Sequence, residues 1–450
     1  MNRTLIKIGF LILAAGFTLA MGQQPPLNPQ ITEIVSQVSA ERIANIQKKL
    51  ESFGTRNIYS ATDDPQHGIG GAREWIAGQL KEYSPKLEVS FDKHRVAKQG
   101  RAFKNVEIWN VVAVLKGTSE PERQVIVSGH YDSIHMVNKP SDGGGRQLDA
   151  EATVAAIAPG VTDDGSGTAA VMELARVMSQ FQFRKTIVFI AFAAEEYGLF
   201  GSGLYAEAAA ARHDQIEGVF NNDIIGSNVT GNGETSNRYV NVYSEDPNDS
   251  ISRQLARYMK AANEKYQPGF DVNLVFRHDR FGRGGDHSPF AADGFAAIRV
   301  TTPMENFANQ HTATDTFANT APAYTALVAK ANAAGIAELA LAPKTPQLRA
   351  SSGTRGGAPL SRGSGYDAAM TWHNENPESD LAGYTIVMRK TTAPLWEREI
   401  FVGNVTKYTL PNVNIDEVVL GVKAIDKSGN ESLTTAFVSP AYEQKKIETY

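Results

Sequence analysis

Cysteine is absent from all 450 residues. That excludes disulfide staples and a lipid-bearing thiol after any leader, so a folded chain must rely on its core. A basic excess is also missing. Forty-four Lys and Arg against 49 Asp and Glu leave a net charge of -5, which gives no electrostatic footprint for nucleic acid as a partner. Long apolar runs are scarce as well. The one near the N-terminus, Ile8 to Ala20, is shorter than a membrane span requires. Arg3 and Lys7 precede it, and the small residues Ala20 and Gly22 follow it. This is the pattern of a secretory signal over residues 1–22. The expected mature protein is exported, periplasmic or secreted, with no membrane span.

What is present centres on KTIVFIAFAAEEYGLFGS, Lys185 to Ser202. The β-branched and aromatic run Thr186 to Phe192 reads as a strand buried on both faces. Glu195 and Glu196 follow where that strand should end. Adjacent carboxylates raise each other's pKa. A bound dication resolves the conflict, with one Glu as ligand and the other as a base.

Around this stretch the chain alternates strands with helices. Helical spacing runs from Ile31 to Ser52, Ala72 to Tyr83, Thr168 to Phe181, Ser250 to Tyr266 and Ala321 to Leu341. Strand patterns fall at Leu87–Asp92, Val106–Leu115, Gln124–Ser128, Gly218–Asp223, Tyr239–Tyr243, Val272–Phe276 and Ala297–Thr301. Residues 138–158 read as an inserted surface loop. The expected fold is α/β, a mixed and largely parallel sheet sandwiched between helices. Beyond Pro343 the composition turns rich in Ser, Gly, Arg and Pro, a linker over 343–363. Short alternating segments then predict an all-β sandwich over 364–450. This gives a leader 1–22, a catalytic domain 23–342, a linker and a sandwich.

Four other segments carry residues that suit a metal. They are Gly129-His130-Tyr131-Asp132-Ser133, the PGVTDDGSG stretch with Asp163 and Asp164, Asn222-Asp223, and Gln310-His311 in QHTATDT. Asp132 is placed to orient the His130 imidazole. Each alone is weak, since Asp-Asp-Gly is a turn signal. Together they fit a site at the carboxyl ends of sheet strands, with the His and carboxylate set that zinc takes.

These motifs, in this order, resemble the M28 family of zinc metallopeptidases over roughly residues 60–342, secreted bacterial aminopeptidases among them. The resemblance implies two zinc ions. His130 and Asp223 would hold one, Glu196 and His311 the other, and Asp163 would bridge both, with Glu195 as general base. It implies a peptide or protein N-terminus as substrate. His287, in GDHSPF, is expected to be structural. Gln310 stands where some members carry Tyr, which leaves the contact to the substrate carbonyl open. A dipeptidase, a carboxypeptidase-like enzyme, a one-zinc glutaminyl cyclase and a non-catalytic binding protein are the alternatives. Arg277, Arg280 and Arg283 would favour a substrate carboxylate if they faced the pocket. The last 90 residues resemble a fibronectin type III domain, a candidate for binding a surface or polymer. No candidate ligand lies beyond Pro343, so the tail is expected to be dispensable for the chemistry.

Overall fold

The computed structural model describes residues 27–141, 143–349, 358–363, 365–374 and 378–438. The leader read over 1–22 lies outside them. No described helix is long and apolar enough to cross a membrane.

The apolar run from Ile31 to Ser52 forms two helices, α1 (Pro29–Gln37) and α2 (Ala40–Ser52). Val38 is extended between them, and the Ser39 side chain accepts from the Arg42 N–H, which restarts the chain as a capped helix. After α3 (Gly68–Tyr83) come β1 (Leu87–Val96), β2 (Val106–Leu115) and β3 (Glu120–His130). Residues 138–158 are not a bare loop. They contain the hairpin β4 (Asn138–Pro140) and β5 (Arg146–Leu148), then the short α4 (Ala150–Ala155), capped by Asp149. Next are α5 (Gly165–Met178), β6 (Lys185–Phe192), α6 (Phe200–Arg212), β7 (Gln215–Asn222) and β8 (Tyr239–Ser244). The domain closes with α7 (Ile251–Tyr266), β9 (Asp271–Val275), α8 (His287–Ala292), β10 (Ala297–Thr301) and α9 (Pro322–Leu341).

Eight strands form one sheet in the order β1-β2-β6-β3-β7-β10-β8-β9. The centre is parallel, through β6, β3, β7 and β10. β6 shows why its sequence reads as continuously apolar. Ile187, Phe189 and Ala191 join the core beneath α1, α2, α3, α5, α7 and α9, while Val188, Ile190 and Phe192 join a second core with Ala206, Ala209 and Phe290 from the opposite face. A strand covered on both faces needs apolar side chains at every position. The next strand after β3 in the sheet lies on one side of it as β6 and on the other as β7, so loops diverge at its carboxyl end and leave a crevice. Two glycines let the backbones close up there. A Cβ on Gly167 would lie 2.4 Å from the Asn222 carbonyl oxygen, and one on Gly129 would lie 2.7 Å from Gly167.

The C-terminal strands build two antiparallel sheets. One holds Gln347–Leu348, Leu360–Arg362, Ala368–His373 and Lys407–Leu410. The other holds Leu381–Lys390, Arg398–Gly403, Val418–Asp426 and Thr435–Phe437. Trp372 is fully buried between them, edge-on to Tyr384 with ring centroids 5.5 Å apart. Two of these strands therefore fall within the stretch that reads as a linker.

The seam between the two parts is tied by charge. Lys265 Nζ reaches Glu338 Oε1 at 2.8 Å and Glu431 Oε2 at 2.9 Å. Arg389, fully buried, reaches Asp249 at 2.5 Å, and Arg184 reaches Asp380 at 2.6 Å. Leu433 joins the main core. Losing the partner of the fully buried Arg389 is costly. Removal of residues 344–450 is therefore expected to lower the melting temperature by at least ~5 °C, as read by calorimetry. An unchanged melting temperature would show that the seam adds nothing to the catalytic part.

Candidate metal centre

The crevice at the end of β3 gathers the residues singled out in the sequence. His130 ends β3, and Glu195 and Glu196 follow β6 after Ala194, which takes a left-handed φ of 66°. Asp223 follows β7, Asp163 precedes α5 through a cis peptide to Asp164, and His311 lies in the loop before α9. Two groups form. In each of His130, Asp163 and Asp223, and Asp163, Glu196 and His311, one ligand atom per residue lies within 4.8 Å of the others. Asp163 belongs to both. Its Oδ1 faces His130 Nε2 at 3.2 Å and its Oδ2 faces His311 Nε2 at 3.1 Å. His311 Nε2 is also 3.1 Å from Glu196 Oε2, and His130 Nε2 is 3.9 Å from Asp223 Oδ1. Glu195 forms a further close group with His130 and Glu196.

The electrostatics call for cations. Burial alone would raise the Asp163 carboxyl, but His130 and His311 outweigh it and hold the group well below the usual carboxylate range. Burial would lower His311, but Glu196 and Asp163 push it up to about 11. The clustered carboxylates therefore hold positive charge on the imidazoles, and a metal would take the place of those protons. His130 Nε2 and Glu196 Oε1 are buried without a hydrogen-bond partner, which is how ligand atoms aimed at an ion look. The donor set of imidazole and carboxylate with no sulfur fits zinc. Glu195 keeps part of its surface open to the cleft. Burial, then the charges of Asp223, Glu196 and Asp286, raise its carboxyl well above the usual range against the pull of His130.

A shell of buried groups fixes these side chains. Asp132 meets His130 chiefly through its backbone carbonyl, 3.1 Å from Nδ1, with its carboxylate at 3.6 Å. That carboxylate instead accepts from the backbone N–H of Glu195 at 3.2 Å and Glu196 at 3.4 Å. Asp164 accepts from the N–H groups of His130, Gly167 and Ile224, pinning β3, α5 and the end of β7 together. Three residues outside the sequence-derived set also take part. Asp315 accepts from the Thr162 and Asp163 N–H at 2.9 and 3.0 Å. Fully buried Arg299 holds Asp223 at 2.8 Å and Asp279 at 3.2 Å. Arg101 donates to the Glu196 carbonyl at 2.6 Å. Arg299 carried a signal, a charge inside the apolar strand AIRVT; Arg101 carried none. Gln310 donates to Asp163 Oδ2 at 3.0 Å. His287 lies outside both groups, bonded at 3.1 Å to the His278 carbonyl and kept neutral by burial, with a pKa of about 3.

The cleft over these residues has room for about 320 Å³, lined by Asp163, Glu195, Glu196, Asp223 and His311 with Arg101, Arg280 and Arg283. Arg277 is not in the lining; its guanidinium lies over the Phe281 ring, 5.7 Å from the centroid. A sheet between helices that ends in two imidazole–carboxylate groups is the arrangement of a metal-dependent enzyme. Comparison with known proteins agrees. The model of peptidase family M28 matches residues 110–336. A probable zinc metalloprotease of Leptosphaeria maculans is 33% identical over 442 residues, covering 91% of this chain and 97% of that protein. The fold is shared with the LapA aminopeptidase of Legionella pneumophila, at TM-score 0.51 and 20% identity over 69% of this chain and 74% of that one. It is shared equally with a glutaminyl cyclase of Bacteroides thetaiotaomicron, at TM-score 0.50 and 16% identity over 67% and 98%. The chain belongs to peptidase family M28, as a zinc metalloprotease.

Proposed function

We propose that the protein is a two-zinc exopeptidase that removes residues from peptide N-termini. The observation that carries the two-metal reading is Asp163, whose two oxygens face imidazoles of separate groups. His130 and Asp223 would hold one ion, Glu196 and His311 the other, with Asp163 between. Zinc held there supplies an acidified water and polarises the scissile carbonyl. Glu195, in neither group that shares Asp163, takes the proton from the attacking water and returns it to the leaving amine. Asp132 fixes the backbone of the base relative to Glu196. The small cleft favours the end of a chain over an internal stretch. The same proposal includes export and a fibronectin type III-like tail. A glutaminyl cyclase reading, with one zinc, is less favoured because Asp163 has both oxygens engaged.

The test is metal content with a matched pair of peptides. Purified protein is expected to hold about two zinc ions per chain and to lose activity on chelation. N-acetylation is expected to slow cleavage at least about tenfold, ~1.4 kcal/mol of transition-state binding. Full activity without metal, or indifference to acetylation, would overturn the reading.

A further inference from the structure

The most buried lining of the cleft is acidic, but its more exposed lining is not. Arg101, Arg280 and Arg283 stand there, and the lining holds no carboxylates beyond Asp163, Glu195, Glu196 and Asp223. Behind them the charges alternate. Asp223 pairs with Arg299, Arg299 with Asp279, Asp279 with Arg280, Arg280 with Glu305, and Glu305 with Arg283. Three acids and three bases cancel in that chain. Arg101 is outside it. It has no carboxylate within ion-pair distance among the described residues, and one Nη1 bond to the Glu196 carbonyl is its only hydrogen bond there. Arg283 likewise spends only Nη1, on Glu305 at 3.0 Å. A guanidinium carries five N–H donors in a planar fork, so both retain donors at the cleft. A purely structural role accounts for Arg280, which is bonded to both Asp279 and Glu305. It leaves the open donors of Arg101 and Arg283 unused.

Resting on the exopeptidase reading above, we infer that Arg101 and Arg283 bind a carboxylate of the substrate beside the scissile bond, with Arg280 and Glu305 fixing Arg283 in place. Guanidinium forks match carboxylates better than they match any neutral group. Two sources share that chemistry: the α-carboxylate of a very short peptide, or an acidic side chain next to the cut bond. The first is compatible with a free amine at the other end and would make very short peptides the substrate; the second sets no limit on length.

Four substrates separate the sources on the zinc-loaded full chain. They are a dipeptide as free acid, the same dipeptide as amide, and two amidated peptides that differ only by Glu against Gln beside the cut bond. A free-acid to amide ratio in kcat/KM of at least about tenfold assigns the α-carboxylate. A similar Glu to Gln ratio assigns the side chain. Either ratio is expected to collapse several-fold toward one in Arg101→Gln and in Arg283→Gln, to persist in part in Arg283→Lys, and to shrink in 0.5 M NaCl for the unaltered protein, a ~4 Å screening regime. Both ratios within twofold of one, or ratios unmoved in both Gln variants, would overturn the inference while hydrolysis itself stands. Failure of the unaltered protein to cleave any of the four would overturn the exopeptidase reading, and this inference with it.

Discussion

Glu195→Gln is expected to retain the fold and the zinc while turnover falls about a thousandfold, ~4 kcal/mol at the transition state. Gln preserves the shape of the side chain and removes only its capacity to take a proton. The backbone at this position is anchored independently, since the Glu195 N–H donates to Asp132 rather than depending on its own carboxylate. KM should change little, because the lost contribution arises only during the reaction. Glu196→Gln is the comparison. Glu196 shares a group with Asp163 and His311, so that variant should lose zinc before it loses anything else. The pair of variants is read by metal analysis and steady-state kinetics on the same preparations. If Glu195→Gln sheds zinc and Glu196→Gln keeps it, the two roles are exchanged.

Asp163→Ala should have the largest effect on metal. Every other ligand candidate belongs to one of the groups built on Asp163, and Asp163 belongs to both. Its loss would leave His130 and His311 facing each other's vacated partner, with Glu196 and Asp223 still buried nearby. Zinc is expected to fall from about two ions per chain to fewer than one. His311→Ala, which touches one group only, is expected to leave about one. Measuring both after gel filtration decides the matter, and equal losses in the two variants would mean that Asp163 does not bridge.

The fold was largely legible because its signals are local. β6 reads as a buried strand from the run Thr186 to Phe192, and α9 from an apolar run that is buried nearly all round. The break at Ser39 was harder to see, since Ile34, Val35, Val38 and Ile43 keep helical spacing across it and only a capping bond marks it. The hairpin within 138–148 escaped because its strands are three residues each, too short for a period to show. The site divides in the same way. His130, Asp163, Glu195, Glu196 and Asp223 sit at strand ends or glycine-rich turns, where a polar residue stands out against an apolar run, and His311 stands out through the QHTATDT motif. Arg101, Arg299 and Asp315 act on partners 95, 76 and 152 residues away. Nothing in the local pattern of a loop such as KQGRAFK points to such a distant partner.

Asp132 has a mechanical consequence. One side chain grips the amides of both glutamates, while its own carbonyl meets the ring of His130. Base and ligands therefore ride on a single bracket bolted across β3 and β6. A change at Asp132 therefore bears on His130, Glu195 and Glu196 at once.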